Sequence, residues 1–269
     1  IEVIENFRTR APFPVRLITG DHQGYVANFF RAMEACSGDV VALCDQDDIW
    51  RPDKLATVLP YFSQSDITLV MHSARTIDDR GHPLGDHVPD IRRKQILARG
   101  VFHDGPLHSF PLGFTLTLRQ SVVKRVISLL RHYDDPYRFY FGHEMPLYWL
   151  AKALGPVVYL PDELVDYRRH GGNVSGGEGW HSGSIARRFA NNADDFEQFA
   201  RHAQYQADLL TMLKGNDPEI DDILQRWSQS RRRLSHHFQE RAKIYRETRR
   251  VRQLQLLITL VAHRGYQSR

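Results

Sequence analysis

The chain has 269 residues, 42% of them hydrophobic and 25% charged, with a formal net charge of +4 and two cysteines. That apolar content suffices for one sizeable domain plus an appendage, and no apolar run approaches the 18 or so residues of a membrane span. Cys36 and Cys44 fit no zinc or redox spacing and no signal-peptide pattern opens the chain, so a reduced, cytoplasmic setting is expected. The positive surplus belongs to residues 184–269, whereas residues 1–183 hold slightly more acids than bases.

In chain order, residues 1–7 read as a helix and residues 15–18 as a short strand. The segment GYVANFFRAMEACSGD predicts a helix with Val26, Phe29, Phe30 and Met33 on one face at spacings of three and four, closed by Ser37-Gly38. Val40 to Cys44 is a continuous apolar, β-branched run, which predicts a strand covered on both faces. Asp45, Asp47 and Asp48 stand at its C-terminal mouth. Two carboxylates about 6 Å apart repel by roughly 3 kcal/mol at an effective dielectric near 20, so water, basic partners or a cation are expected there. A helix from Pro52 to Phe62 and a strand from Ile67 to His72 follow, and TIDDRGHPL has the turn chemistry of a hairpin, with Asp79 and Gly81 between its arms. Alternating strands and helices predict a layered α/β domain.

A second block, FGHEMPLYWLAKALGPVVYLPDELVDYRRHGGNVSG, places Glu144 ahead of Pro146, with Leu147, Leu150, Ala151 and Leu154 repeating at helical spacing up to Gly155. Glu144 thus stands at a helix N-terminus, where the dipole favours the ionised carboxylate; a helix-capping acid and a functional one both fit. His143-Glu144 starts no zinc-protease motif, because Leu147 stands where the second histidine is needed. After a strand from Val157 to Leu160, Tyr167-Arg168-Arg169-His170 leads into a Gly-rich loop. Asn173-Val174-Ser175 matches a glycosylation acceptor, a chance match in a cytoplasmic chain. From about residue 180 the pattern is helical. Gly215-Asn216 closes one helix and Asp217-Pro218 supplies the N-cap and first position of the next. Ile220, Ile223, Leu224, Trp227, Leu234, Phe238 and Tyr245 form an apolar stripe flanked by Arg231 to Arg233 and Arg246 to Arg252. Such a pair of helices either lies on an anionic membrane surface or packs on the domain with a solvated basic face. Leu254 to Ala262 is too short to span a bilayer.

Taken together, these residues resemble family 2 glycosyltransferases of the GT-A fold. The resemblance follows Gly24, Asn28 and Ser37-Gly38-Asp39, then DQDDIW and Lys54, then the hairpin with Asp79 and Gly81, then Gly113 with TLTLRQSVV, GHEMPLYWLAKALG and YRRHGGNVSG. It covers most of residues 15–176 and is similar to the bacterial branch that includes rhamnosyltransferases of surface-polysaccharide assembly. The fold it implies is a Rossmann-like mixed sheet with flanking helices over residues 1–179, followed by a basic helical tail over residues 180–269. The start of the chain looks like the helix that follows the family's first β-α-β unit, which implies an N-terminally truncated member.

The resemblance also implies roles. Asp45 and Asp47 match the D-x-D motif that holds Mg²⁺ or Mn²⁺ against the diphosphate of a nucleotide-sugar donor, and hard oxygen ligands suit those ions. Arg168 would contact phosphate and His170 the metal or phosphate. Glu144 aligns with the general base of inverting members, which would take the proton of an acceptor hydroxyl. Asn28 and Arg31 could touch the donor, and Gly113 would allow close backbone approach beside the sugar. The implied partners are the nucleotide-sugar donor and a glycan or lipid-linked acceptor, with peripheral contact at the inner face of the cell membrane through the basic tail; no nucleic-acid partner is expected. Two other classes stay open. An aspartyl-nucleophile phosphatase also places D-x-D after an apolar strand, and a non-catalytic remnant would bind partners through the tail.

Overall fold

The computed structural model of the chain describes residues 1–21, 23–64, 66–101, 111–131, 142–170 and 193–266, with side chains up to residue 248. Its elements in order are α1 (Glu2–Arg8), α2 (Tyr25–Ala35), β1 (Val40–Ala42), β2 (Ile49–Trp50), α3 (Lys54–Val58), β3 (Leu69–Ile77), β4 (Pro83–Val88), β5 (Gln95–Leu97), β6 (Leu116–Arg119), α4 (Gln120–Leu130), α5 (Glu144–Leu154), β7 (Val157–Arg168), α6 (Ala193–Met212) and α7 (Pro218–Tyr266). Together they form a mixed α/β fold: a seven-stranded sheet flanked by helices, with a helical C-terminal region.

Two long strands carry the sheet. β3 and β7 run parallel from Leu69↔Val157 to Ile77↔Arg168. β6 pairs antiparallel with β3, and β1 antiparallel with β6, so β1, β3 and β7 all point the same way. β5 and β2 pair with the far edge of β7, and β4 folds back on the outer half of β3. In open α/β sheets ligands sit beyond the carboxyl ends of such strands, and that is the end from which the Asp45 loop emerges.

The hairpin forms where expected with Gly81 in its turn, but the side chain that closes it is Asp78 rather than Asp79. The Asp78 carboxylate accepts the backbone N–H groups of Arg80 and His82, and Gly81 takes the left-handed φ of +90° that closes the turn. Elsewhere the structure departs from the sequence reading. Residues 15–18 join no strand of the sheet. β1 is three residues long and lies at the sheet's edge, so its burial alternates: Val41 and Leu43 are buried, whereas Cys44 is exposed. The helix expected through Phe62 tightens into a 3₁₀ turn at Leu59–Ser63, where Pro60 has no N–H to continue the ladder. α2 ends at Ala35, with Cys36 already extended, before Ser37-Gly38 is reached.

α5 is the centre of the packing. Met145 to Ala153 are all buried, not only the predicted stripe, because one side of α5 meets the sheet and the other meets α7. Leu147 and Leu150 share one core with Leu69, Leu116 and Leu118 of the sheet and with Leu210, Leu224 and Trp227 of the tail. Trp149 and Trp227 hold their rings 5.7 Å apart. Each such fully buried side chain is worth roughly 1.5–3 kcal/mol. The break between α6 and α7 is capped as expected, with the backbone N–H of Ile220 donating to Asp217.

This packing decides between the two readings of the tail. Ile220, Ile223, Leu224, Trp227 and Phe238 are buried against protein, so the stripe that would have entered a membrane already faces the core. Arg231, expected on the solvated basic face, is buried with its guanidinium 5.5 Å from the Trp149 ring centroid. The membrane contact expected through this stripe is therefore not supported. Among the described residues no helix is long and apolar enough to cross a membrane. The expected boundary at residues 179/180 and the Asn173-Val174-Ser175 match lie outside the described residues.

Candidate functional site

Three chain segments meet beyond the carboxyl end of the sheet: the aspartate loop after β1, the β3–β4 turn, and the end of β7. Arg168 ties them together. Its backbone N–H donates to Asp48 Oδ1 at 3.0 Å, its Nε to the carbonyl of Asp47 at 3.1 Å, and its Nη1 to the carbonyls of Asp78 and Asp79 at 3.2 and 3.0 Å. Two residues on, His170 Nε2 lies 2.8 Å from Asp47 Oδ2. The loop is thus fixed by β7, although more than a hundred residues separate them in sequence.

Lys54 supports the cluster from below. It is fully buried, donates from Nζ to the carbonyl of Phe114 at 2.8 Å, and stands 3.8 Å from the Trp50 ring centroid. Burial pushes the Asp45 carboxyl up to about 6, with Asp47 adding to the rise and Lys54 opposing it. Burial likewise pushes Asp48 up to about 7, against the hydrogen bond from Arg168 and with help from Asp45 and Asp47. The same desolvation drives Lys54 down to about 7, resisted by Cys44, Asp48 and Asp45. Asp45 Oδ1 and Asp48 Oδ2 are buried with no hydrogen-bond partner. A pair of orphaned carboxylate oxygens in a desolvated mouth is short of positive charge.

Glu144 approaches from α5. His143 is the N-cap, and Gly142 before it holds φ at +73°. A Cβ on Gly142 would stand 2.5 Å from Glu144 Oε1, so the carboxylate folds back over that glycine. The His143 ring stacks face to face on Phe29 at 3.6 Å and meets Tyr25 edge-on at 6.2 Å. Its Nδ1 lies 3.3 Å from Glu144 Oε2. Burial pushes His143 down to about 3, so the ring is neutral. Burial first, then the charge of Asp45, raises Glu144 to about 7 against the backbone N–H groups of Glu144 and His143. Burial, Glu144 and Asp45 together raise the Tyr25 hydroxyl. Asp45, Glu144 and Tyr25 therefore share one field.

Of the residues expected in the site, the structure brings Asp45, Asp47, Arg168 and His170 to one mouth and Glu144 within electrostatic reach of Asp45. Gly113 does allow a close approach, but by His143, whose Nε2 would lie 2.6 Å from a Cβ there. Asn28 is exposed on the outer face of α2, and the Arg31 guanidinium rests against Gly20. Neither hydrogen-bonds the aspartates among the described residues. The Gly-rich loop after His170 and residues 108–110 lie outside the described residues. Tyr25 and the burial of Lys54 escape the sequence reading. The only sequence signal for Tyr25 is its position four residues before Phe29, one turn along the same helix face.

Among the described residues no group of three or more His, Cys, Asp or Glu side chains is close enough to enclose a metal ion. The donor chemistry nonetheless fits a hard cation. Mg²⁺ is usually held by one or two carboxylates plus substrate phosphates rather than by an all-protein cage, and the unpartnered oxygens of Asp45 and Asp48 are donors of that kind.

Residues 1–127 match the family model described as glycosyl transferase family 2. An uncharacterized glycosyltransferase of Nostoc sp. is 28% identical over 173 residues, covering 64% of this chain and 52% of that protein. Uncharacterized proteins of Mycobacterium bovis and Mycobacterium tuberculosis are 26% identical over 199 residues, covering 69% of this chain and 49% of theirs. The chain spans about half the length of these curated relatives. The family match supports a glycosyl transferase, and the mixed sheet with flanking helices is consistent with the expected GT-A fold.

Proposed function

We propose, from the match of residues 1–127 to family 2 glycosyl transferases, that the chain transfers a sugar from a nucleotide-diphosphate donor to a hydroxyl of a glycan or lipid-linked acceptor, with inversion. The observation that carries this reading is the aspartate loop after β1, tied by Arg168 and His170 beyond the carboxyl end of the sheet with oxygens of Asp45 and Asp48 left unpartnered; Glu144, at the start of α5, supplies a second carboxylate from a different element. In this reading Asp45 and Asp47 would hold Mg²⁺ or Mn²⁺, which when bound would supply positive charge to offset that developing on the leaving diphosphate. Arg168 keeps the aspartate loop and the β3–β4 turn in register, and His170 orients the Asp47 carboxylate. Glu144 accepts the proton of the attacking hydroxyl. A carboxyl raised to about 7 is matched to that task near neutral pH. The finer assignment, a bacterial surface-glycan enzyme of rhamnosyltransferase type acting on the cytoplasmic side, rests on the sequence resemblance alone.

Calorimetric titration with UDP, dTDP and GDP, with and without Mn²⁺, tests the reading. Expected are metal-dependent binding of one nucleotide, its loss in Asp47→Asn, and its retention in Glu144→Gln. Phosphate release from an aryl phosphate without nucleotide binding would instead favour the aspartyl phosphatase, and no effect of either variant would favour a non-catalytic binding module.

A further inference from the structure

We propose that Tyr25 is the platform on which the transferred sugar ring of the donor rests, an assignment that builds on the glycosyl transferase reading above. In an inverting displacement the leaving diphosphate and the attacking oxygen lie on opposite faces of the anomeric carbon. The sugar ring must therefore sit between the group that holds the diphosphate, Asp45 with Asp47, and the group that receives the proton, Glu144. Tyr25 stands at the Glu144 end of that interval. It is the first residue of α2, and its ring meets His143, the residue next to Glu144, edge-on at 6.2 Å. The hydroxyl also lies in the field of both Glu144 and Asp45.

The surroundings make Tyr25 a surface rather than a core side chain. Phe29, one turn further along α2, lies flat on the buried His143 ring and fixes how α2 meets α5. Tyr25 continues the same helix face outward and is 47% exposed. An exposed aromatic face beside carboxylates is the composition of a site for a neutral, polyhydroxylated ring. The C–H face packs on the aromatic while hydroxyls are left for the polar rim.

The test separates sugar from nucleotide. Wild type, Tyr25→Ala and Tyr25→Phe are titrated in Mn²⁺ with UDP, dTDP and GDP and with UDP-glucose, dTDP-glucose and GDP-mannose, with circular dichroism to verify folding. Expected is about a tenfold loss of nucleotide-sugar affinity in Tyr25→Ala, with the matching nucleotide diphosphate bound within twofold of wild type, and retention of both in Tyr25→Phe. Equal losses for sugar nucleotide and diphosphate, or no loss for either, overturn the platform while leaving the glycosyl transferase reading intact. Failure of the wild type to bind any of the six overturns both.

Discussion

His170 holds Nε2 2.8 Å from Oδ2 of Asp47 across 123 positions of sequence. Both side chains are partly exposed, at 36% and 21%, so the contact adds at most about 1 kcal/mol to stability. Its consequence is positional: it sets the direction in which Asp47 offers its oxygens. His170→Ala is expected to weaken Mn²⁺-dependent nucleotide binding about tenfold by calorimetry while shifting the thermal midpoint by less than about 4 °C. A large drop in the midpoint with unchanged affinity would show that the histidine only braces the fold.

Glu144 is the acid whose removal should separate chemistry from binding. Loss of a positioned general base typically costs 10²–10⁴ in rate, and Glu144→Gln is expected to fall in that range with nucleotide affinity within twofold of wild type. Because burial raises Glu144 to about 7 and the base acts ionised, transfer should rise with pH through about 7 and then level off. A pH-independent rate between 5 and 8 would contradict the assignment.

Three carboxyls raised in the folded state also fix the sign of a stability effect. Asp45, Asp48 and Glu144 rise to about 6, 7 and 7, so between their ordinary values near 4 and pH 7 the folded chain binds more protons than the unfolded one. Their contribution is fully present below about pH 4 and is lost as pH rises through 6 to 7. Without metal, Asp48→Asn is expected to flatten the fall in thermal midpoint between pH 5 and 7.5. Mn²⁺ requires deprotonated ligands, so it should raise the midpoint of wild type more at pH 7.5 than at pH 5. Equal metal effects at both pH values would mean that Asp45 and Asp48 do not meet the ion.

The tail's packing is tested at Leu224, which is fully buried in the core shared with α5. Leu224→Ala is expected to cost about 2–5 kcal/mol, read as a lower urea midpoint in a single transition. A separate low-denaturant transition for the mutated tail would show that α7 unfolds independently of the sheet.

Much of this arrangement is legible in the sequence because it is local. The turn at Gly81, the Asp217-Pro218 helix start and the position of Glu144 each follow from backbone chemistry within a few residues. What is hidden is pairing. Nothing in VVALC announces that β1 sits at the sheet's edge with Cys44 facing outward, since an apolar run reads alike in a central or an edge strand. An arginine triplet at 231–233 reads as solvated until the core around Trp149 claims Arg231. Lys54 stands out in the sequence only as a residue following the aspartates, and its contact with the Phe114 carbonyl, 60 positions away, shows it beneath them. Among the site residues the aspartates and Glu144 were visible as residue types in order, whereas Tyr25 depends on how α2 crosses the start of α5.

Gly142 offers the sharpest separation of backbone strain from site geometry. Its φ of +73° costs an alanine about 1–2 kcal/mol, and the new Cβ would stand 2.5 Å from Glu144 Oε1 and 2.7 Å from Oε2, so the carboxylate must turn away from the place it now holds. Gly85, in the exposed strand β4, has a similar φ of +82° and open space where its Cβ would be. Gly85→Ala therefore carries the strain alone. Comparable falls in thermal midpoint are expected for the two variants, but only Gly142→Ala should lower kcat, by at least tenfold, with nucleotide binding preserved in both. Equal activity in the two variants would mean that the present direction of the Glu144 carboxylate is immaterial to transfer.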